Sequence, residues 1–178
     1  ALVSDRPGNQ GSCVQPCRRP YKIKDSDGQP FPDPSFKGKR LKYPLSNRDL
    51  CSLENLDAIV AAGVASIKIE GRMKSPDYVA VVTSVYRKYL DLAVSDEKYS
   101  VSQKDLDTLR LLFNRGFTHG YGARARFRGL VGGDRPDNRG LLVGQVVSVS
   151  QDSKTMEVEL EKGRSISSGR ILKLVWGP

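Results

Sequence analysis

Cys13 and Cys17 stand in the stretch Gly11-Ser12-Cys13-Val14-Gln15-Pro16-Cys17-Arg18, a Gly/Pro loop with plausible ligand spacing. Soft thiolates suit zinc or an iron–sulfur cluster. Cys51, the third thiol, stands just before a predicted helix over 52–62. A helix N-terminus stabilises a thiolate, the form that ligates metal. A four-coordinate site needs one ligand more. His119, the single histidine, makes three thiolates plus one imidazole a zinc option. The plainer readings are that Cys51 is a small buried residue and that Cys17 is no ligand. Three cysteines cannot all pair, which argues against a closed disulfide framework.

The second chemical feature is Lys68-Ile69-Glu70-Gly71-Arg72. Residues 65–70 alternate as a strand does, with Ile67 and Ile69 on one face and Ser66, Lys68 and Glu70 on the other. In parallel sheets and barrels, ligands bind beyond the carboxyl ends of the strands. Lys68, Glu70 and Arg72 are therefore the catalytic candidates. A structural salt bridge at the strand end is the alternative, because a buried charge is costly without a partner.

These residues need elements to position them. Residues 1–40 are rich in Gly and Pro and read as loop. So much irregular backbone in a compact domain needs something to order it, and a metal cluster is one such device. A short strand is predicted over 41–45. In the helix over 52–62, Ser52 is the expected N-cap and Gly63 the C′ residue. The next helix is the clearest: Ser75 caps it, Pro76 fits its first position, and Val79, Val82, Tyr86 and Tyr89 or Leu90 form the apolar stripe. Another runs over 103–114, with Leu106, Leu109, Leu112 and Phe113 inward. Residues 115–139 read as a basic connector. Beyond them 141–150, 155–161 and 170–176 are strand-like. Alternating strands and helices imply parallel pairing with right-handed crossovers. The expected domains are an α/β part over 1–135 and a small all-β module over 136–178.

The 178 residues carry a formal charge of +9, from 29 basic and 20 acidic side chains. That balance suits a polyanion such as RNA as well as a solvated surface. Arg18, Arg19, Lys22, Lys24, Lys37, Lys39, Arg40 and Lys42 cluster beside the cysteines, and Arg124, Arg126 and Arg128 add a second patch. Tyr21, Phe36 and Tyr43 are candidate stacking platforms for unpaired bases, or packing anchors. No apolar run approaches roughly 20 residues, so no membrane partner is expected. The start lacks an apolar h-region and an initiator Met, so a processed product or fragment is expected. G-x-S-x-G, H-E-x-x-H, Walker and G-x-G-x-x-G patterns are absent from the sequence.

Residues Gly8–Arg18, Leu45–Cys51 and Ala62–Val79, with Phe113–Thr118 and Arg135–Gly140, strongly resemble the collagenase-like peptidase family. The resemblance spans roughly residues 8–144. It implies the C-terminal part of a TIM-like barrel whose first strands lie upstream of Ala1, then a small β-barrel-like module. It also implies a Cys-rich motif upstream. Branches of the family hydroxylate transfer RNA, ribosomal RNA or ubiquinone precursors, and some hold a 4Fe–4S cluster. By position, Cys13 and Cys51 are the best matches to cluster ligands, with two more expected upstream; Cys17 matches less well. Glu161-Lys162-Gly163-Arg164-Ser165 departs from the acidic pattern common in the family's small barrel. Two functions compete: hydroxylation of an RNA base with an iron–sulfur cluster, in the cytoplasm, and peptidase action on collagen-like or other protein. Either way the full-length parent is expected to be the enzyme, and the fragment alone inactive.

Overall fold

A computed structural model describes residues 12–31, 42–71, 73–121, 129–170 and 172–175. The chain divides into two compact units, Ala1–Gly140 and Leu141–Pro178. The architecture is mixed α/β. Among the described residues no barrel closes: the strands form three separate two-stranded sheets.

In the first unit, β1 (Tyr43–Asn47) pairs antiparallel with β4 (Val131–Gly133). The short β2 (Asp49–Leu50) pairs parallel with β3 (Phe117–Thr118). Between β2 and β3 lie α1 (Leu56–Ala61), α2 (Pro76–Ala93) and α3 (Gln103–Leu111). Two expectations change here. The connector over 115–139 contains β3 and β4. The segment expected as a strand over 65–70 has no ladder partner among the described residues and is not a strand.

The helices follow their caps. The Ser75 hydroxyl accepts the Tyr78 amide at 3.2 Å and Pro76 occupies the first turn of α2. Ser52 makes no side-chain cap; the chain passes through a 3₁₀ turn, Leu53–Asn55, before α1 begins. Gly63 ends that helix at φ 79°, a left-handed conformation that a Cβ disfavours. The buried stripe of α2 is Val82, Val85 and Tyr89, while Val79 is 41% exposed, displaced from its expected face. With Cys51, Leu53, Leu56, Leu106 and Leu109 these residues form the core. Phe113 lies outside it, because α3 stops at Leu111 and Leu112 turns extended.

Ser102 and Asp105 tie α3 to α2. The Ser102 hydroxyl accepts the Asp105 amide at 3.1 Å. The Asp105 carboxylate accepts from Lys88 Nζ, Ser102 Oγ and Tyr89 Oη, each at 2.7 Å. The Lys88 bond, then those from Ser102 and Tyr89, lower its pKa to about 2. A folded pKa below the unfolded one contributes stability above the ordinary carboxylate range and loses it as pH falls toward the folded value. Thermal unfolding of Asp105→Asn is therefore expected below wild type at neutral pH, with the gap closing between about pH 4 and 2. A pH-independent gap would deny the carboxylate this role.

The second unit holds a hairpin, β5 (Gly144–Val149) against β6 (Met156–Leu160), with an irregularity between Val146 and Ser148. Gly144 is required there: a Cβ would lie 2.3 Å from the Glu159 carbonyl oxygen. The strand expected over 170–176 finds no partner among residues 172–175 and their described neighbours.

Candidate functional site

A cavity of about 610 Å³ opens in the first unit. Its walls come from the β1–β2 corner (Asn47, Arg48, Leu50, Ser52), α1 (Ile59), the segment after α1 (Val64, Ser66, Ile67, Lys68), the end of β3 (Thr118) and the turn after it (His119, Gly120, Tyr121), with Leu130. Ser66 and Lys68 line this cavity and Ile69 lies with Thr83, Tyr86 and Leu90 of α2, while Ile67 borders both, so the expected alternation holds only in part.

Of the charged candidates that are described, Lys68 and Glu70, Lys68 reaches the cavity wall. Glu70 lies elsewhere, close enough to Tyr78 to help raise its pKa behind the larger effects of burial and Asp49. Arg72 lies outside the described residues, as do Phe36, Lys37, Lys39, Arg40 and the patch Arg124, Arg126 and Arg128.

His119 is set differently from the zinc option. Its Nε2 is 3.5 Å from Glu54 Oε2, and its Nδ1 is 3.4 Å from Asn55 Nδ2. These partners come from the 3₁₀ turn ahead of α1, and they orient the imidazole at the cavity wall. An imidazole beside a carboxylate can carry a proton to or from a bound group. Sequence spacing did not reveal this pair, whose members are 65 positions apart. Tyr121, 81% exposed at the rim, was missed as well.

Cys51 lies behind the wall, between Leu50 and Ser52. It is 6% exposed, and its amide donates to the Thr118 carbonyl at 2.9 Å, extending the β2–β3 ladder. Burial pushes its thiol up, against the opposing pull of the Leu53 amide and the Tyr86 hydroxyl. The expected helix N-terminus thus contributes a donor, yet desolvation outweighs it. The Tyr86 hydroxyl stands 3.9 Å from the sulfur and accepts the Ser52 amide at 3.1 Å; burial, then Cys51, raises its pKa to about 12.

Cys13 and Cys17 are half-buried free thiols. The Gln15 amide donates to Cys13 Sγ at 3.3 Å, and Cys17 sits in a 3₁₀ turn, Pro16–Arg18. Arg18 clips that turn to β1: its Nη1 donates to Ser46 Oγ at 2.9 Å and to the Asn47 carbonyl at 3.1 Å. The thiol loop and Cys51 are thus both attached to the β1–β2 segment. Among the described residues no three His, Cys, Asp or Glu side chains form a metal-holding group. Cys13 and Cys51 each have an N–H or O–H directed at the sulfur, and thiols are donors of the kind that suits a thiophilic metal.

The family model for peptidase family U32 matches residues 1–129. The chain belongs to peptidase family U32. Its U32 relatives have two kinds of name. It is 36% identical, over 83% of its length, to a 23S rRNA 5-hydroxycytidine synthase of Escherichia coli (strain K12), covering 22% of that protein. It is 38% identical over 64% of its length to a tRNA hydroxylation protein of Bacillus subtilis (strain 168), covering 27% of it. It is 33% identical over 64% of its length to a collagenase of Porphyromonas gingivalis (strain ATCC BAA-308 / W83), covering 26% of it. The chain therefore spans about a quarter of the length of these relatives. No solved structure matches it. No helix among the described residues is long and apolar enough to cross a membrane.

Proposed function

We propose that this chain is part of a U32 enzyme that hydroxylates a base of tRNA or rRNA in the cytoplasm. The observation that carries the reading is the likeness to an rRNA 5-hydroxycytidine synthase across 83% of the chain. A net charge of +9 and a cavity of about 610 Å³ accord with it. Small-ligand pockets span roughly 300–1,000 Å³, so a nucleobase fits such a volume. The relative named collagenase keeps proteolysis as the second reading.

In this proposal the family's TIM-like barrel is completed by chain beyond these residues, and the second unit is its small β-barrel module. Cys13 and Cys51 are two ligands of a 4Fe–4S cluster, with Cys17 a spare thiol beside them. Bound there, such a cluster supplies one-electron chemistry. Lys68, Glu70 and Arg72 are the catalytic candidates of this chain. Lys68 presents a cation to the cavity, and His119, steadied by Glu54 and Asn55, holds or moves a proton at its ring nitrogens.

Mass spectrometry of nucleosides from tRNA and rRNA tests the function. Cells without the protein are expected to lose one hydroxylated base, and the wild-type gene to restore it. Lys68→Met removes the cation at the cavity wall with little change of length and is expected to lower restoration about a hundredfold, the scale of a lost electrostatic group, whereas the nearly isosteric Glu70→Gln tests whether Glu70, outside that wall, is catalytic or structural. Unchanged nucleosides in the deletion, with gelatin cleavage by the intact protein, would replace the RNA reading by the peptidase one.

A further inference from the structure

Five basic side chains meet where β1, β2 and the turn before β3 come together. Arg18 is fixed on Ser46 and Asn47. Arg48 and Arg139 flank Gly116: a Cβ there would lie 3.4 Å from Arg139 Cδ and 3.8 Å from Arg48 Cδ. Lys74 Nζ stands 3.1 Å from the centroid of the Phe113 ring, and the Arg115 guanidinium carbon lies 5.4 Å from the same centroid.

Among the described residues, Asp49 and Asp134 pair with two of these cations, and both are engaged. Asp49 accepts the Arg115 amide at 2.7 Å and its Nη2 at 2.5 Å. Asp134 pairs with Arg139, whose Nε also donates to the Arg115 carbonyl at 2.9 Å. Arg18, Arg48 and Lys74 have no carboxylate within ion-pair distance among the described residues. The Nε atoms of Arg48 and Arg115 are buried with no hydrogen-bond partner among those residues. Burial lowers the pKa of Lys74, and the nearby charges of Arg115 and Arg18 lower it further against Asp49.

We propose that Arg18, Arg48 and Lys74 form a binding site for a phosphate group of the RNA backbone. The inference rests on the RNA reading and names where the substrate is held. Guanidinium forks and an ammonium are suited to phosphate oxygens, and a cationic excess attracts an anion. Arg48 also lines the cavity, as does Asn47, to whose carbonyl Arg18 is bonded. A nucleotide with its base in the cavity therefore has a phosphate within reach of the cluster. Phe113, covered by Lys74 and Arg115, positions these cations and is no stacking platform.

The test uses the intact protein and a single-stranded RNA titrated over a series of potassium chloride concentrations. Lys74→Met, which keeps apolar contact with Phe113, and Arg18→Gln are each expected to weaken binding about three- to tenfold whatever the RNA sequence. Each is expected to flatten the slope of log affinity against log salt by about 0.7, one phosphate contact on a single strand. Lys74→Arg is expected to retain binding, as is Lys162→Gln in the second unit. In a second measurement, inorganic pyrophosphate is expected to raise the melting temperature of wild type more than that of Lys74→Met at equal ionic strength. Wild-type RNA binding with a slope that neither substitution alters, and no Lys74-dependent pyrophosphate effect, would overturn the site and leave the RNA reading standing. A Lys74-dependent pyrophosphate effect without RNA binding would uphold the anion site and overturn the RNA reading. Neither RNA binding nor a pyrophosphate effect would overturn both.

Discussion

Cys51→Ala is expected to remove most of the iron from the intact protein, purified without oxygen, while leaving it folded. A buried thiol with two donors directed at it, the Leu53 amide and the Tyr86 hydroxyl, is built to hold a sulfur at that point. Its amide is fixed to Thr118, so the sulfur has little freedom to move. Removing the sulfur leaves a small void and two donors, the Leu53 amide and the Tyr86 hydroxyl, without that acceptor, at a cost of about 1–3 kcal/mol for each donor. The fold survives that; a four-ligand site deprived of one ligand does not hold its metal well. Cys13→Ala is expected to behave alike. Iron per protein and visible absorbance are the readouts. Iron unchanged in both variants would end the assignment of these thiols. Zinc in place of iron in the wild type would turn the site to the structural alternative.

Leu56→Ala is expected to be the most destabilising single truncation of the first unit. Leu53 and Leu56 are completely buried, and the core around them contains few other side chains: Cys51, Val82, Val85, Tyr89, Leu106 and Leu109. Truncating a buried leucine costs about 2–5 kcal/mol, depending on how far neighbours collapse into the void. Domains are stable by roughly 5–15 kcal/mol, so this change takes a large share. All seven tyrosines lie in the first unit. The one tryptophan, Trp176, belongs to the second unit, so in a Trp176→Phe background the tyrosines' near-ultraviolet circular dichroism in a urea titration reports the first unit. A midpoint shift equal to that of an exposed control such as Leu111→Ala would contradict the place of Leu56 in the core. The cost also separates stability from chemistry: Lys68→Met, at an exposed position, is expected to change the urea midpoint little.

Local signals carried much of this protein. Ser75-Pro76 announced α2 because a cap and a fixed φ act within one turn of backbone, and the Ser75 hydroxyl does accept the Tyr78 amide. Gly63 announced the end of α1 because its φ of 79° is a property of one residue. The family was legible from ordered motifs, and the match over residues 1–129 bears it out. The alternation of 65–70 was legible in part: Lys68 lines the cavity and Ile69 lies against α2, but Ile67 borders both and Glu70 is not in the cavity wall. Its pairing was not legible, because a ladder needs a neighbour that periodicity cannot name. Nor were β3 and β4, which hide in a Gly- and Arg-rich stretch and are strands only because β2 and β1 lie beside them. Ser52 failed as a cap because its backbone, at φ −95° and ψ 9°, is not extended as a capping residue's is, and the chain enters a 3₁₀ turn there. At the site the same holds as for β3 and β4. Sequence marked His119 and the thiols by type, but the Glu54–His119 pair and the meeting of Arg18, Arg48, Lys74 and Arg115 depend on segments far apart in the chain. Residue type and short-range geometry are written in the sequence, whereas burial and charge neighbourhood are set by which segments the tertiary fold packs together.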